Sequence, residues 1–252
     1  MNCLDTTHSA NHPITKYLRM PTQRNTTNKV IGGLLLTGAI ALFIPYNVLI
    51  ATFDYPDILR EETSVILTRF HDGGSPLIWT WFAFGTTGIP LLPAYILIGQ
   101  KLEGKSALSR IATTIGVTGL IVQMIGLLRW TFVVPVLADT FVSATSEATR
   151  EAAIVSFKTI HQFAGVILGE HIGQLFTIAW TVLISIVHQR LDAIPRWVSF
   201  FGYVTAAIYL LAQAELFATV IPSFPVWDLA GFLGSTLWLV WLVILGIYYV
   251  KN

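Results

Sequence analysis

The sequence predicts an all-α integral membrane protein: a six-helix transmembrane bundle with both termini cytoplasmic. Three observations carry that expectation. Of the 252 residues, 54% are hydrophobic and only 12% charged, whereas soluble domains are roughly a quarter charged. Six apolar runs are long enough to cross a hydrocarbon core of about 30 Å, which takes roughly 20 helical residues. Basic residues gather between alternate runs, the asymmetry that orients membrane proteins.

Residues 1–28 are rich in Asn, Thr and Ser and read as a polar cytoplasmic tail, without the short apolar core of a signal peptide. The membrane domain is read over 29–252, with spans at about 30–51, 76–99, 111–137, 161–187, 197–221 and 227–249. Helical periodicity inside them is weak, as expected of helices apolar on nearly every face. The runs are too long, and alternate too little, for barrel strands. Pro90 and Pro93 should kink span two, because each removes a backbone donor.

Lys16, Arg19, Arg24 and Lys29 precede span one; Lys101, Lys105 and Arg110 lie between spans two and three; Arg190 and Arg196 lie between four and five; Lys251 follows six. The opposite side holds only Arg60, Arg69, Arg150 and Lys158 among its basic residues, and it is acidic. Both termini are therefore expected in the cytoplasm. On the outer side, Tyr55-Pro56-Asp57 reads as a helix start, and Ile58, Leu59, Val65, Ile66 and Phe70 recur at helical spacing. They suggest an interfacial amphipathic helix over about 57–70, ended by Asp72-Gly73-Gly74. Ser146-Glu147 reads as the cap of a helix that runs unbroken into span four. Trp79, Trp81, Trp197, Trp227, Tyr248 and Tyr249 fit interfacial anchors.

A net charge of +1 offers nothing to nucleic acid, so the lipid bilayer is the expected partner, with a second copy or another membrane protein as further ones. Cys3 is the single cysteine, which excludes an intramolecular disulfide and a cysteine-based metal site. No nucleophile elbow, His-Glu-x-x-His motif or phosphate loop is present, so no catalytic residue is assigned.

The informative residues lie inside the spans. Arg129 stands in span three, Glu170, His171 and Gln174 in span four, and Glu215 in span five. At a rise of about 1.5 Å per residue, Arg129 lies roughly 12 Å, Glu170 about 15 Å and Glu215 about 9 Å below the outer ends of their spans. Span ends are uncertain by about 5 Å, so the three depths coincide. Intramembrane charge is costly, and Arg129 is expected to pair with Glu170 or Glu215. One arginine neutralises one carboxylate, which leaves the other to be protonated, paired with His171 or bound to a ligand. These five residues are the candidate ligand or proton site. A purely structural ion pair that stitches the bundle together is the competing explanation.

Gly165, Gly169 and Gly173 recur every fourth residue and form a helix-packing stripe. At about 100° per residue, Glu170 and Gln174 fall on a face beside that stripe, with His171 further round. Haem is not expected. His161 and His171 share one helix about 15 Å apart along its axis, and His71 and His188 sit outside the membrane and at its inner end. His161 itself is expected at the outer interface. A metal held by Glu170, His171 and Glu215 is chemically permissible, but the repeated Glu-x-x-His of carboxylate-bridged bundles is missing, and no metal or cofactor is assigned.

Arg129-Trp130, Phe132-Val133-Val134-Pro135, Ala148-Thr149-Arg150-Glu151-Ala152-Ala153, His161-Gln162 and Gly169-Glu170-His171-Ile172-Gly173-Gln174 together resemble a group of bacterial multi-pass membrane proteins catalogued as domain of unknown function 4386. The resemblance covers spans three and four. It implies a protein of the bacterial plasma membrane and brings no activity, cofactor or catalytic residue. The leading functional expectation is binding or transfer of a small or lipid-like ligand, or of a proton, at the polar layer. A non-catalytic assembly partner, with a structural ion pair and glycine seam, comes second. A membrane oxidoreductase or metal enzyme comes third.

Overall fold

A computed structural model describes residues 21–252, which contain helices and turns and no strand among the described residues. The predicted tail falls mostly outside them. Six helices or helix stacks are long and apolar enough to cross a membrane: Thr26–Phe53, Thr63–Glu103, Leu108–Ser143, Glu147–Arg190, Arg196–Ala218 and Ala230–Lys251. Each corresponds to one of the six expected runs.

Span one is a single helix, α1 (Pro21–Phe53). Span two consists of α2 (Thr63–Thr86) and α3 (Leu91–Glu103), and the break between them falls at Pro90, with Pro93 in the first turn of α3. Proline is tolerated there because a first-turn N–H has no helical acceptor. Span three joins α4 (Leu108–Phe132) to α5 (Val134–Ser143). Span four runs from α6 (Glu147–Ile160) through a π-helix (His161–Gly173) into α7 (Gln174–Arg190). The Ser146 side chain accepts from the Thr149 amide and caps α6, as its position implied. Span five is α8 (Arg196–Leu211) followed by a short α9 (Gln213–Ala218), and span six is α10 (Ala230–Lys251).

The outer helix expected at about 57–70 is divided. Asp57–Arg60 forms one 3-10 turn, and α2 begins only at Thr63. Gly74, at φ 53° and ψ −152°, breaks α2 between this outlying part and the span proper. Ile58, Ile66, Leu67 and Phe70 are all buried, so the apolar face turns into the protein.

Neighbours in sequence are neighbours in space, and the ring closes. Span one touches two, two touches three, and so on to six, and α10 packs along α1. Among the described residues two large apolar cores fill the ring, with a third, smaller cluster of Ile178, Ala206, Tyr209, Ala212 and Ala230. At the end that holds the start of α1 and the finish of α10, Leu35, Tyr95, Trp180 and Trp241 are fully buried together. At the opposite end, hereafter distal, Phe53, Phe70, Trp81, Trp130 and Phe157 form an aromatic core. Trp81 stacks on Trp130 at 4.7 Å between centroids. Trp81 is therefore no interfacial anchor: it is completely buried. Tyr249 is buried too, with His188 at 2.8 Å from its hydroxyl. Trp79, Trp197 and Trp227 remain more than half exposed, as anchors require. Along α1, α4 and span four, the polar residues fall between the segments that supply the two cores.

Candidate functional site

The site begins with glycines. Arg129 is 6% exposed, a guanidinium enclosed by protein. It fits because Gly165 has no side chain: a Cβ there would lie 2.5 Å from Arg129 Nη2. Nη1 donates to the Gly126 carbonyl, and the guanidinium carbon sits 5.2 Å from the Trp130 ring centre. Nε is buried without an acceptor.

The rest of the stripe packs against the same helix. Gly169 meets Gly126 backbone to backbone, and Gly173 lies against Gln123 of α4. Gln123 in turn donates to Thr177 of α7 at 3.1 Å. The glycine seam is thus used within one chain, where it brings spans three and four into close contact.

Hydrogen bonds from i to i+5 make each π-turn wider than an α-turn. Glu170 directly follows the seam glycine Gly169 in this π-helix. Arg129 heads the charged groups whose field reaches the Glu170 carboxylate, followed by Glu215 and Arg60. Yet the expected Arg129 pairing does not form. Arg129 makes no ion pair within 4.0 Å with Glu170 or Glu215 among the described residues. Its guanidinium is held instead at Gly165 by the Gly126 carbonyl and Trp130.

Glu215 is paired with Arg60 from the 3-10 turn. Arg60 also contacts Asp57 at 3.1 Å. Counting Arg129 as the one cation of the layer therefore left out Arg60, which holds both Glu215 and Asp57. The Glu170 carboxylate itself makes no hydrogen bond or ion pair among the described residues.

Gln213, unassigned from the sequence, organises the other polar side chains. It starts α9, just after the break in span five, and is 6% exposed. Its Oε1 lies 2.8 Å from His171 Nδ1. Its Nε2 donates to Gln174 Oε1 at 2.8 Å and to the Glu170 carbonyl at 3.1 Å. His171, Gln174 and the backbone of Glu170 are thus tied to one amide. The available signal was a glutamine two positions before Glu215 in an otherwise apolar run.

Three tyrosines complete the layer. Tyr55 precedes the 3-10 turn and packs edge-on against Trp81 at 5.2 Å, Phe84 at 6.0 Å and Tyr46 at 5.9 Å. Glu170, Tyr46, Arg129 and Tyr209 all lie within electrostatic range of its hydroxyl. Burial first, and the Glu170 carboxylate second, hold that phenol above its ordinary range. Tyr209 of α8 is likewise in range of Glu170 and Tyr46. Tyr46, Arg129, Glu170 and Tyr209 come from spans one, three, four and five of the ring, so their mutual approach places them around its centre. On the distal side a cavity of about 330 Å³ is lined by Tyr55 together with Ile50, Asp54, Asp57, Ile58, Glu61 and Arg69.

His161 leans on Phe157 at 5.3 Å and Trp130 at 6.1 Å, with Nδ1 buried and unpaired. It belongs to the distal aromatic core. Among the described residues no three His, Cys, Asp or Glu side chains form a group that could hold a metal ion.

No curated protein and no solved structure matches the chain. A family model does match, over residues 30–246, and it spans all of the elements that build the polar layer. This chain belongs to that family, described as a domain of unknown function (DUF4386).

Proposed function

We propose that this chain is a multi-pass protein of the bacterial plasma membrane that binds or transfers a small or lipid-like ligand, or a proton, at Glu170. The observation that carries this reading is the unpaired Glu170 carboxylate at the centre of a closed helical ring. A carboxylate kept only as structural glue would be paired, as Glu215 is with Arg60. Intramembrane ionisable groups left outside such pairs mark binding sites and proton relays. Arg129 supplies the facing charge, and Gln213 orients His171 and Gln174 beside it.

Two measurements on purified protein test the proposal. Infrared pH titration in lipid should show a carboxyl band that Glu170→Gln removes. Native mass spectrometry should show a small molecule or lipid retained by the wild type and lost from the same variant. Wild-type behaviour of Glu170→Gln in both measurements would overturn the proposal. Glu215→Gln should alter stability and leave the Glu170 band in place.

A further inference from the structure

We propose that the ligand held between Arg129 and Glu170 is a small zwitterion, with an ammonium that meets the carboxylate and an anionic group that meets the guanidinium. This rests on reading Glu170 as a ligand site. Three features of the layer point to it. Arg129 is more than nine-tenths buried, yet only Nη1 has an acceptor among the described residues. Glu170 faces it with no partner for its carboxylate, and the two stand farther apart than an ion pair. Opposite charges that share a field without touching are complementary to a molecule that carries both signs. Charge-assisted hydrogen bonds to each would satisfy both groups at once.

The charge balance selects the same class. Arg60 is already engaged by Glu215 and Asp57, so the groups left for a ligand are Arg129 and Glu170, one positive and one negative. A ligand with net charge would add an uncompensated charge inside the membrane, whereas a zwitterion adds none. The hydroxyls of Tyr55 and Tyr209 lie within electrostatic range of the carboxylate, and they can donate to an anion or accept from an ammonium. Tyr55 also walls the distal cavity, which makes that cavity the side of approach.

Ammonium and phosphate or carboxylate on one molecule occur in free metabolites and in the phosphoethanolamine headgroup of lipids, and the test separates the two. Full-length protein in phosphatidylglycerol nanodiscs is titrated with β-alanine and O-phosphoethanolamine. Ethylamine, propionate and inorganic phosphate serve as single-charge controls. Binding is read by tryptophan fluorescence, since Trp81 and Trp130 border the layer, and by thermal unfolding. At least one zwitterion should bind tenfold or more tightly than every control, and Glu170→Gln and Arg129→Gln should each remove that margin. A second arm compares phosphatidylethanolamine with phosphatidylglycerol nanodiscs. Stabilisation by the former that Glu170→Gln abolishes would support the same proposal with a lipid source.

If a single-charge control equals the zwitterions, the proposal is overturned. It is also overturned if neither arm shows an effect. Should the infrared band of Glu170 still titrate in that case, the proton reading survives and the zwitterion alone is lost. The wild-type comparisons decide the matter even where Arg129→Gln does not fold.

Discussion

Gly126 is the residue on which the contact between spans three and four turns. A Cβ there would stand 2.7 Å from the Gly169 Cα and 2.8 Å from the Ala164 carbonyl oxygen. Both are backbone atoms, so neither can move aside as a flexible side chain would. Gly126→Ala should therefore destabilise the protein by about 1–3 kcal/mol, the usual cost of overpacking. Gly169→Ala makes the instructive comparison. Its Cβ would meet nothing nearer than 3.4 Å, and alanine favours a helix over glycine by about 1 kcal/mol. It should be close to neutral. Thermal unfolding of the two variants in detergent checks this, and equal losses would refute the asymmetry. The stripe at 165, 169 and 173 was legible in the sequence; its counterpart Gly126 was not, since nothing linear says which face of span three receives it. Gln213 escaped for a related reason. An uncharged amide draws little attention beside Glu215, and its value comes from three partners on another helix.

At the scale of elements, the π-helix decides the site. In an α-helix at about 100° per residue, Gly165 and Glu170 would be roughly 140° apart. The wider π-turn narrows that angle, and Glu170 comes within electrostatic range of Arg129. Sequence periodicity treated span four as an ordinary helix, and so set Glu170 beside the packing face. π-turns are rare and are found frequently at functional sites. Span two has a device of a different kind. Gly74 takes a backbone conformation in which side chains are strained, and it lets the first part of α2 bring Ile66, Leu67 and Phe70 into the distal core. Gly74→Ala should cost on the order of 1–3 kcal/mol by the strain of that conformation. A variant with an unchanged unfolding temperature would show that the kink can relax at no cost.

At the scale of the molecule, six spans that each touch their sequence neighbours close into a ring through α1 and α10. The basic residues predict that the ends of this ring bearing both termini face the cytoplasm. Fluorescent-protein fusions at either terminus should glow, and alkaline phosphatase fusions there should be inactive; the reverse result would invert the topology and place the Tyr55 cavity on the cytoplasmic side. The sequence by itself determined the six spans, the kink at Pro90, the cap at Ser146 and the layer in which Arg129, Glu170 and Glu215 lie. These follow from local physics: lipid selects apolar length, proline removes a donor, and a serine hydroxyl satisfies an open amide. Tertiary structure alone decided the pairing inside that layer. Arg60 comes from a loop 155 positions away to take Glu215, Gly165 and Gly126 hold Arg129 apart, and Glu170 is left to face the centre. Partner choice among buried charges depends on which side chains a closed ring brings within a few ångströms, and that distance is set by helix packing and turn width rather than by any neighbouring residue in the chain.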